Sequence, residues 1–220
     1  MWVAVGSGTN TIAHSTDGIS WTGLGTSIFS TSGNSVEWNG ELWVAVGEGT
    51  NTIAYSTDGI NWTNSSNGNT IFTTKVKGVS WNGNMWVATG NGTNSIAYSY
   101  DAITWTAAGP TGNSLFHQTN GIVNDVGWNG EKWIAVGKGA NERNFTQRTG
   151  IVGSTPSTTP QWWSVVSSAD GTKLVACVGQ QGNIYTSTDS GATWSAIDSS
   201  GFDGTQNWFC LLYTSDAADE

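Results

Sequence analysis

An all-β fold, a β-propeller of four-stranded blades with about five repeats present, is predicted by three observations. The segment Trp43-Val-Ala-Val-Gly-Glu-Gly-Thr-Asn-Thr-Ile-Ala-Tyr-Ser-Thr-Asp-Gly-Ile-Asn-Trp62 recurs, with copies starting at Trp2, Trp43, Trp86, Trp133 and, in the equivalent place, Leu174. The steps are 41, 43, 47 and 41 residues, a period long enough for one four-stranded unit and longer than most solenoid repeats. Inside each copy, short apolar runs alternate with Gly, Asn, Ser and Thr turns, and no helical periodicity intervenes.

The second copy shows the elements in order. Val36-Glu-Trp38 is the first strand, and Asn39-Gly40 follows as the dipeptide that supplies the positive φ angles of a tight hairpin. The same dipeptide recurs at Asn82-Gly83 and Asn129-Gly130. Leu42-Trp-Val-Ala-Val46 is the second strand, apolar at consecutive positions, so both its faces are covered. Gly47-Glu-Gly-Thr-Asn51 turns the chain into a third strand, Thr52-Ile-Ala-Tyr-Ser56. Thr57-Asp58-Gly59 turns it again into a fourth, Ile60-Asn-Trp-Thr63. Blades of this kind stacked face to face around an axis bury both faces of every second strand.

Spacing locates the variation. Trp2 to Trp21, Trp43 to Trp62 and Trp86 to Trp105 are each 19 residues, and Trp38 to Trp43, Trp81 to Trp86 and Trp128 to Trp133 are each 5. Only the connector between blades changes, from 17 (Trp21 to Trp38) to 19 (Trp62 to Trp81) to 23 residues (Trp105 to Trp128). Loops that vary in length on a rigid scaffold are where binding usually sits.

The turn residues carry a family resemblance. Ser187-Thr-Asp189-Ser-Gly191-Ala-Thr193-Trp194 resembles the Asp-box of bacterial-neuraminidase-type repeats, Ser-x-Asp-x-Gly-x-Thr-Trp, at every defined position. Ser15-Thr-Asp17-Gly-Ile-Ser-Trp21 and Ser56-Thr-Asp58-Gly-Ile-Asn-Trp62 resemble a version one residue shorter, and Ser99-Tyr-Asp101-Ala-Ile-Thr-Trp105 has lost the Gly. The resemblance covers nearly all of residues 1–209 and implies a sialidase-like propeller in which these residues clasp a hairpin, on the face away from the ligand site. In the fourth copy the box is absent: the position of its Asp is held by Arg148. Trp163-Ser-Val-Val-Ser-Ser-Ala-Asp-Gly-Thr-Lys-Leu174 begins a second repeat subtype.

Both ends lie out of phase. Met1-Trp2 aligns with Leu42-Trp43 and Met85-Trp86, which reads as an internal start and an open or truncated propeller. Residues 210–220, Cys210-Leu-Leu-Tyr-Thr-Ser-Asp-Ala-Ala-Asp-Glu220, match no repeat position and resemble the translation of a sequencing-library adapter appended to an environmental gene fragment. The expected native domain is therefore 1–209.

Composition narrows function by exclusion. A net charge of −9 with seven Lys and Arg argues against nucleic acid, and no apolar run reaches the length of a membrane span. Cys177 and Cys210 form no disulfide framework. No metal spacing, phosphate loop or Ser/His/Asp set appears, so no cofactor or metal is expected. Sialidases, which the boxes resemble, grip a carboxylate with three Arg from different blades. This chain has Arg143 and Arg148 only, in one short segment, so that triad is missing and no catalytic residue is assigned. Glu48, Asp125 and Glu142 are loop acids with no spacing that makes them a catalytic pair, and His14 fills the place of Tyr55 and Tyr98.

What remains is a neutral polar face made by the second-to-third-strand turns and the connectors. Its candidate ligand residues are Asn10, Glu48, Asn51, Asn94, Asn141 and Glu142. Such groups hydrogen-bond sugar hydroxyls or peptide backbone without burying charge. The expected function is a non-catalytic interaction scaffold for a glycan or protein surface, on a secreted or virion-surface protein, with no oligomeric state specified. Two other readings stand beside it: a fragment of a sialidase-like or xyloglucanase-like glycoside hydrolase, and an assembly-factor propeller of the photosystem-assembly kind.

Overall fold

The structure, a computed structural model, describes residues 1–109, 121–138, 161–168, 170–179, 183–189, 191, 193–197, 208 and 211. The chain is all-β, built as antiparallel blades of the β-propeller type, and forms two compact units, Met1–Asn113 and Ser114–Glu220.

The first unit holds three blades. One is a three-stranded meander, β1 (Trp2–Val5), β2 (Ile12–Ser15) and β3 (Thr22–Gly23). The next comprises β4 (Ser32–Trp38), β5 (Trp43–Glu48), β6 (Ile53–Ser56) and β7 (Thr63–Asn64). After a single helical turn, α1 (Gly68–Ile71), come β8 (Lys75–Trp81), β9 (Trp86–Asn91), β10 (Ile96–Ser99) and β11 (Thr106–Ala107). The second unit contains β12 (Ile122–Trp128) with β13 (Trp133–Lys138), and a four-stranded meander of β14 (Gln161–Ser167), β15 (Leu174–Gly179), β16 (Ile184–Ser187) and β17 (Ser195–Ala196).

The second strands are buried as their unbroken apolar runs require. Val44 to Val46 and Trp86 to Ala88 are fully or almost fully enclosed. Two clusters form the core of the first unit, one around Val44, Val46, Phe72, Val76, Trp86 and Trp105, the other around Ile12, Phe29, Ala45 and Ala54. The second unit packs Trp162, Leu174, Ala176, Tyr185 and Trp194 together. Across each first hairpin two Trp rings stack at a tilt, with centroids 4.9 Å apart for Trp38–Trp43 and Trp81–Trp86 and 5.1 Å for Trp128–Trp133. Their constant spacing of 5 places them directly opposite one another in the ladder.

Three local expectations are corrected. First, the tight turn at Asn39-Gly40 has positive φ only at Gly40 (φ 103). Asn39 instead acts through its side chain, whose Oδ1 accepts from the N–H groups of Glu41 (2.9 Å) and Leu42 (2.7 Å). Asn82 and Asn129 do the same. Second, the fourth strand begins at Thr63 rather than Ile60, because the Asp58 carboxylate captures the N–H groups of Ile60 and Asn61 and keeps them in the turn. Third, the inner strands are longer than the apolar pattern suggests and each carries a β-bulge. The extra residues are Asn34, Lys77, Asn124 and Trp163.

The bulge accounts for the first Gly of three of the Gly-x-Gly turns, Gly6 being the exception with open space around it. At Gly47, Gly90 and Gly137 the carbonyl oxygen of the inner strand (Ser32, Lys75, Ile122) lies where a Cβ would be, so any side chain would collide with backbone.

The connectors are pinned by a motif that the Trp spacing does not reveal. Ile28-Phe29 and Ile71-Phe72 place two fully buried Phe rings in the core. The next residue, Ser30 or Thr73, accepts a hydrogen bond from the following turn, Thr50 N at 2.9 Å or Thr93 N at 3.0 Å. Length variation is thereby confined to the stretch before each Phe.

Candidate functional site

Each blade of the first unit has two chemically different ends. At one end lies the hairpin clasp. Ser15 Oγ donates to Asp17 Oδ1 (2.9 Å) and accepts from Gly18 N (2.8 Å), while Asp17 Oδ1 also accepts from Ile19 and Ser20 N, both at 2.8 Å. Trp21 Nε1 closes the loop on Gly18 O at 3.2 Å. Ser56, Asp58 and Trp62 repeat this bond for bond. Ser187, Asp189, Gly191 and Trp194 repeat it around one more residue, with Thr193 adding a hydroxyl donor to the carboxylate. Ser99, Asp101 and Trp105 keep the carboxylate and indole bonds with Gly replaced by Ala102, held at φ 62, but Ser99 Oγ lies against Thr104 O (2.7 Å) and takes no bond from the Ala102 amide.

The donors shape the acidity of these exposed carboxyls. The Ser20 and Ile19 amides, with the Ser15 hydroxyl, hold Asp17 at about 2. Asn61 and the turn amides hold Asp58 well below the usual carboxylate range, and Thr104 N and its neighbours lower Asp101. An analogous loop, Ser168 to Lys173, replaces the Asn-Gly hairpin of the later repeat subtype. There the Ser168 and Thr172 donors hold Asp170 at about 2.

The other end is the rim formed by the second-to-third-strand turns. Along β5 it is separated from the clasp by the strand itself: Trp43 pairs with Ser56 of the clasp, and Glu48 ends the strand five residues on. At strand rise that is roughly 17 Å.

The candidate Asn residues of the rim tie it to the connectors. Asn10 Oδ1 accepts from Gly25 N (2.8 Å), Asn51 Nδ2 donates to Ile28 O (2.8 Å), and Asn94 Nδ2 donates to Ile71 O (2.9 Å). One group of each amide is thus engaged by backbone. Asn141 and Glu142 lie outside the described residues, as do Arg143 and Arg148.

Within this held frame the residue between the two Gly varies: Ser7, Glu48 and Asn91 in the first unit, Lys138 in the second. In the first unit these positions join a row. Ser7 bridges Ser32, Ser32 pairs with Glu48, Glu48 with Lys75, and Lys75 with Asn91. Directly opposed residues of antiparallel ladders present side chains to one face, so a polar strip crosses three blades. Of this row sequence reading singled out only Glu48. The remaining signal was available, since Lys75 and Lys77 are the only basic residues among the first 113.

In the second unit Asp125, expected in a loop, lies instead inside β12 directly after its bulge, where the neighbouring strand β14 takes its carboxylate. Its Oδ2 accepts from Ser164 Oγ (2.9 Å) and Val165 N (3.1 Å), and its Oδ1 from Val126 N (2.9 Å). Burial outweighs these donors and pushes the carboxyl up to about 6. Asn124 Nδ2 donates to Trp162 O at 2.6 Å. This is a strand-to-strand clasp. Among the described residues no His, Cys, Asp or Glu cluster could hold a metal ion, and no helix is long and apolar enough to cross a membrane.

No protein-family profile and no curated protein sequence matches the chain. Among solved structures it is similar to the Niastella koreensis GH74 enzyme, at 15% identity and a TM-score of 0.42 over 89% of this chain. It spans only 23% of that protein's length. It is also similar to YCF48 bound to D1 peptide, at 16% identity and a TM-score of 0.46, covering 97% of this chain and 82% of that one. Both are β-propellers.

Proposed function

We propose that the chain is an Asp-box propeller acting as a non-catalytic interaction scaffold, with carbohydrate as its ligand class, on a secreted or virion-surface protein. The observation that carries this reading is the division of labour within each blade of the first unit. The clasps spend their Asp carboxylates on their own turns, whereas the rim holds a repeated Gly-x-Gly-Thr-Asn frame and changes only the residue that frame displays. A fixed backbone with a varied polar side chain is how repeat scaffolds adapt one surface to a ligand.

The test is a glycan array probed with the full chain, alongside the same glycans recovered and analysed for cleavage. Binding without hydrolysis is the expected result. Hydrolysis products would move the protein to the glycosidase reading, and absence of binding to every glycan would remove carbohydrate.

A further inference from the structure

The first unit, residues 1–113, contains six acids and two bases, a balance of 2 − 6 = −4, and both bases are on one strand. Lys75 opens β8 and Lys77 is its bulge residue. In two other inner strands the bulge residue is an Asn that fastens neighbouring strands, Asn34 donating to Val76 O at 2.7 Å and Asn124 to Trp162 O at 2.6 Å. Lys77 departs from that pattern. Neither it nor Lys75 makes a hydrogen bond or ion pair with a described residue, although both are half-buried. Burial, then the charge of Lys75, lower the Lys77 pKa, with Glu48 opposing. Two lysines of one strand therefore stand within electrostatic reach of each other without a counter-ion in contact.

Beside them lies an unsatisfied acceptor. Asn91 pairs with Lys75 across the ladder, and its Oδ1 is enclosed with no hydrogen-bond partner. Glu48 pairs with Lys75 from the other side. A ligand that satisfies the strip must bring an anionic group to the lysines and O–H donors beside it to Glu48 and Asn91. An acidic side chain of a peptide brings one nearby donor, its own backbone N–H. A hexuronate ring brings several hydroxyls and can reach Glu48 and Asn91 together.

We propose that the Glu48–Lys75–Lys77–Asn91 cluster binds the carboxylate of an acidic saccharide, a hexuronate, with its neighbouring hydroxyls directed to Asn91 Oδ1 and Glu48. This names the sugar class of the glycan-binding reading and rests on it. The charges make the interaction salt-sensitive, and a partly desolvated lysine contributes more than a fully solvated one.

Isothermal titration of the full chain with tri-galacturonate and with neutral galactotriose of the same linkage tests it. The acidic trimer is expected to bind at least about tenfold more tightly, with affinity falling as salt rises. K75Q and K77Q should each weaken it several-fold, and K132Q, on an exposed lysine paired with Glu131 at 3.8 Å, should leave it unchanged. If a variant fails to melt cooperatively, slower acetylation of Lys75 and Lys77 in the wild-type chain on adding tri-galacturonate gives the same information. Equal affinity for the two sugars, or unaltered binding in K75Q and K77Q, overturns this cluster as the site and leaves glycan binding standing. Binding of no saccharide at all overturns both.

Discussion

Asp58 and Asp125 are both hydrogen-bonded carboxylates, and their surroundings give them opposite roles. Asp58 is exposed and collects donors that would otherwise be unsatisfied in a tight turn, from Ile60, Asn61 and Ser56. Asp58→Ala is expected to lower the thermal midpoint while leaving saccharide affinity unchanged, because the rim lies roughly 17 Å away along β5. Lost affinity at an unchanged midpoint would contradict that. Asp17 and Asp170, depressed to about 2, contribute stability present above the unfolded carboxylate value of about 3.9 and lost as pH falls toward 2. Asp125, raised to about 6, has the reverse sign: the native state takes up the proton first, so stability rises as pH falls from about 6 to about 4. Melting curves across that window should show the rise in the wild type and a flat profile in Asp125→Asn. Backbone demands are equally local. Gly59 and Gly18 occupy matching clasp positions at φ 71 and 76, but a Cβ at Gly59 would approach Val3 Cγ2 to 3.0 Å, whereas at Gly18 the nearest atom, Trp2 Nε1, is 3.6 Å away. Gly18→Ala should cost about 1 kcal/mol, for the left-handed φ alone. Gly59→Ala should cost about 2 kcal/mol by urea denaturation, the crowding adding to the strain.

At the scale of elements, strand content was legible and strand ends were not. Unbroken apolar runs at Trp43–Val46 and Trp86–Ala88 announce covered second strands whatever the neighbours are. The fourth strand starts later than its sequence suggests because Ile60 and Trp62 have the spacing of a strand alternation, while Asp58 takes the amides that a strand would need. Asn39-Gly40 looked like a two-residue turn, yet Asn39 caps through its side chain, a choice that composition does not separate from the other. The connectors hide their anchors for a different reason. Phe29 and Phe72 recur at a step of 43, in the region where length varies, so alignment on Trp passes over them. Each ring is fully enclosed, and Phe29→Ala or Phe72→Ala should destabilise by about 3–5 kcal/mol in urea titrations. A smaller loss than in an exposed-residue control such as Ile19→Ala would show that the connector is held by its hydrogen bonds instead.

Among the described residues, stability rests on apolar clusters and on hydrogen bonds, those of the clasp carboxylates included, with little contribution from surface ion pairs. Lys132–Glu131, at 3.8 Å and largely exposed, is of the kind that contributes little. Raising salt from about 0.1 M to about 1 M should therefore leave the melting midpoint unchanged or raise it slightly, by screening the repulsion of a chain with net charge −9. A marked fall would mean that paired charges hold the blades. The repeat of 41 to 47 residues by itself determined the all-β class, the blade period, the clasps and the region of variable length, because each depends on contacts within one copy. What only the tertiary structure decided is what one blade presents to the next: the inner-strand bulges, the Asn34 clasp, and the row in which Ser32, Glu48, Lys75 and Asn91 stand side by side. Those residues lie up to 59 positions apart in sequence. Their registry is set by how one strand's bulge meets its neighbour's carbonyl, a relation between blades that no single copy encodes.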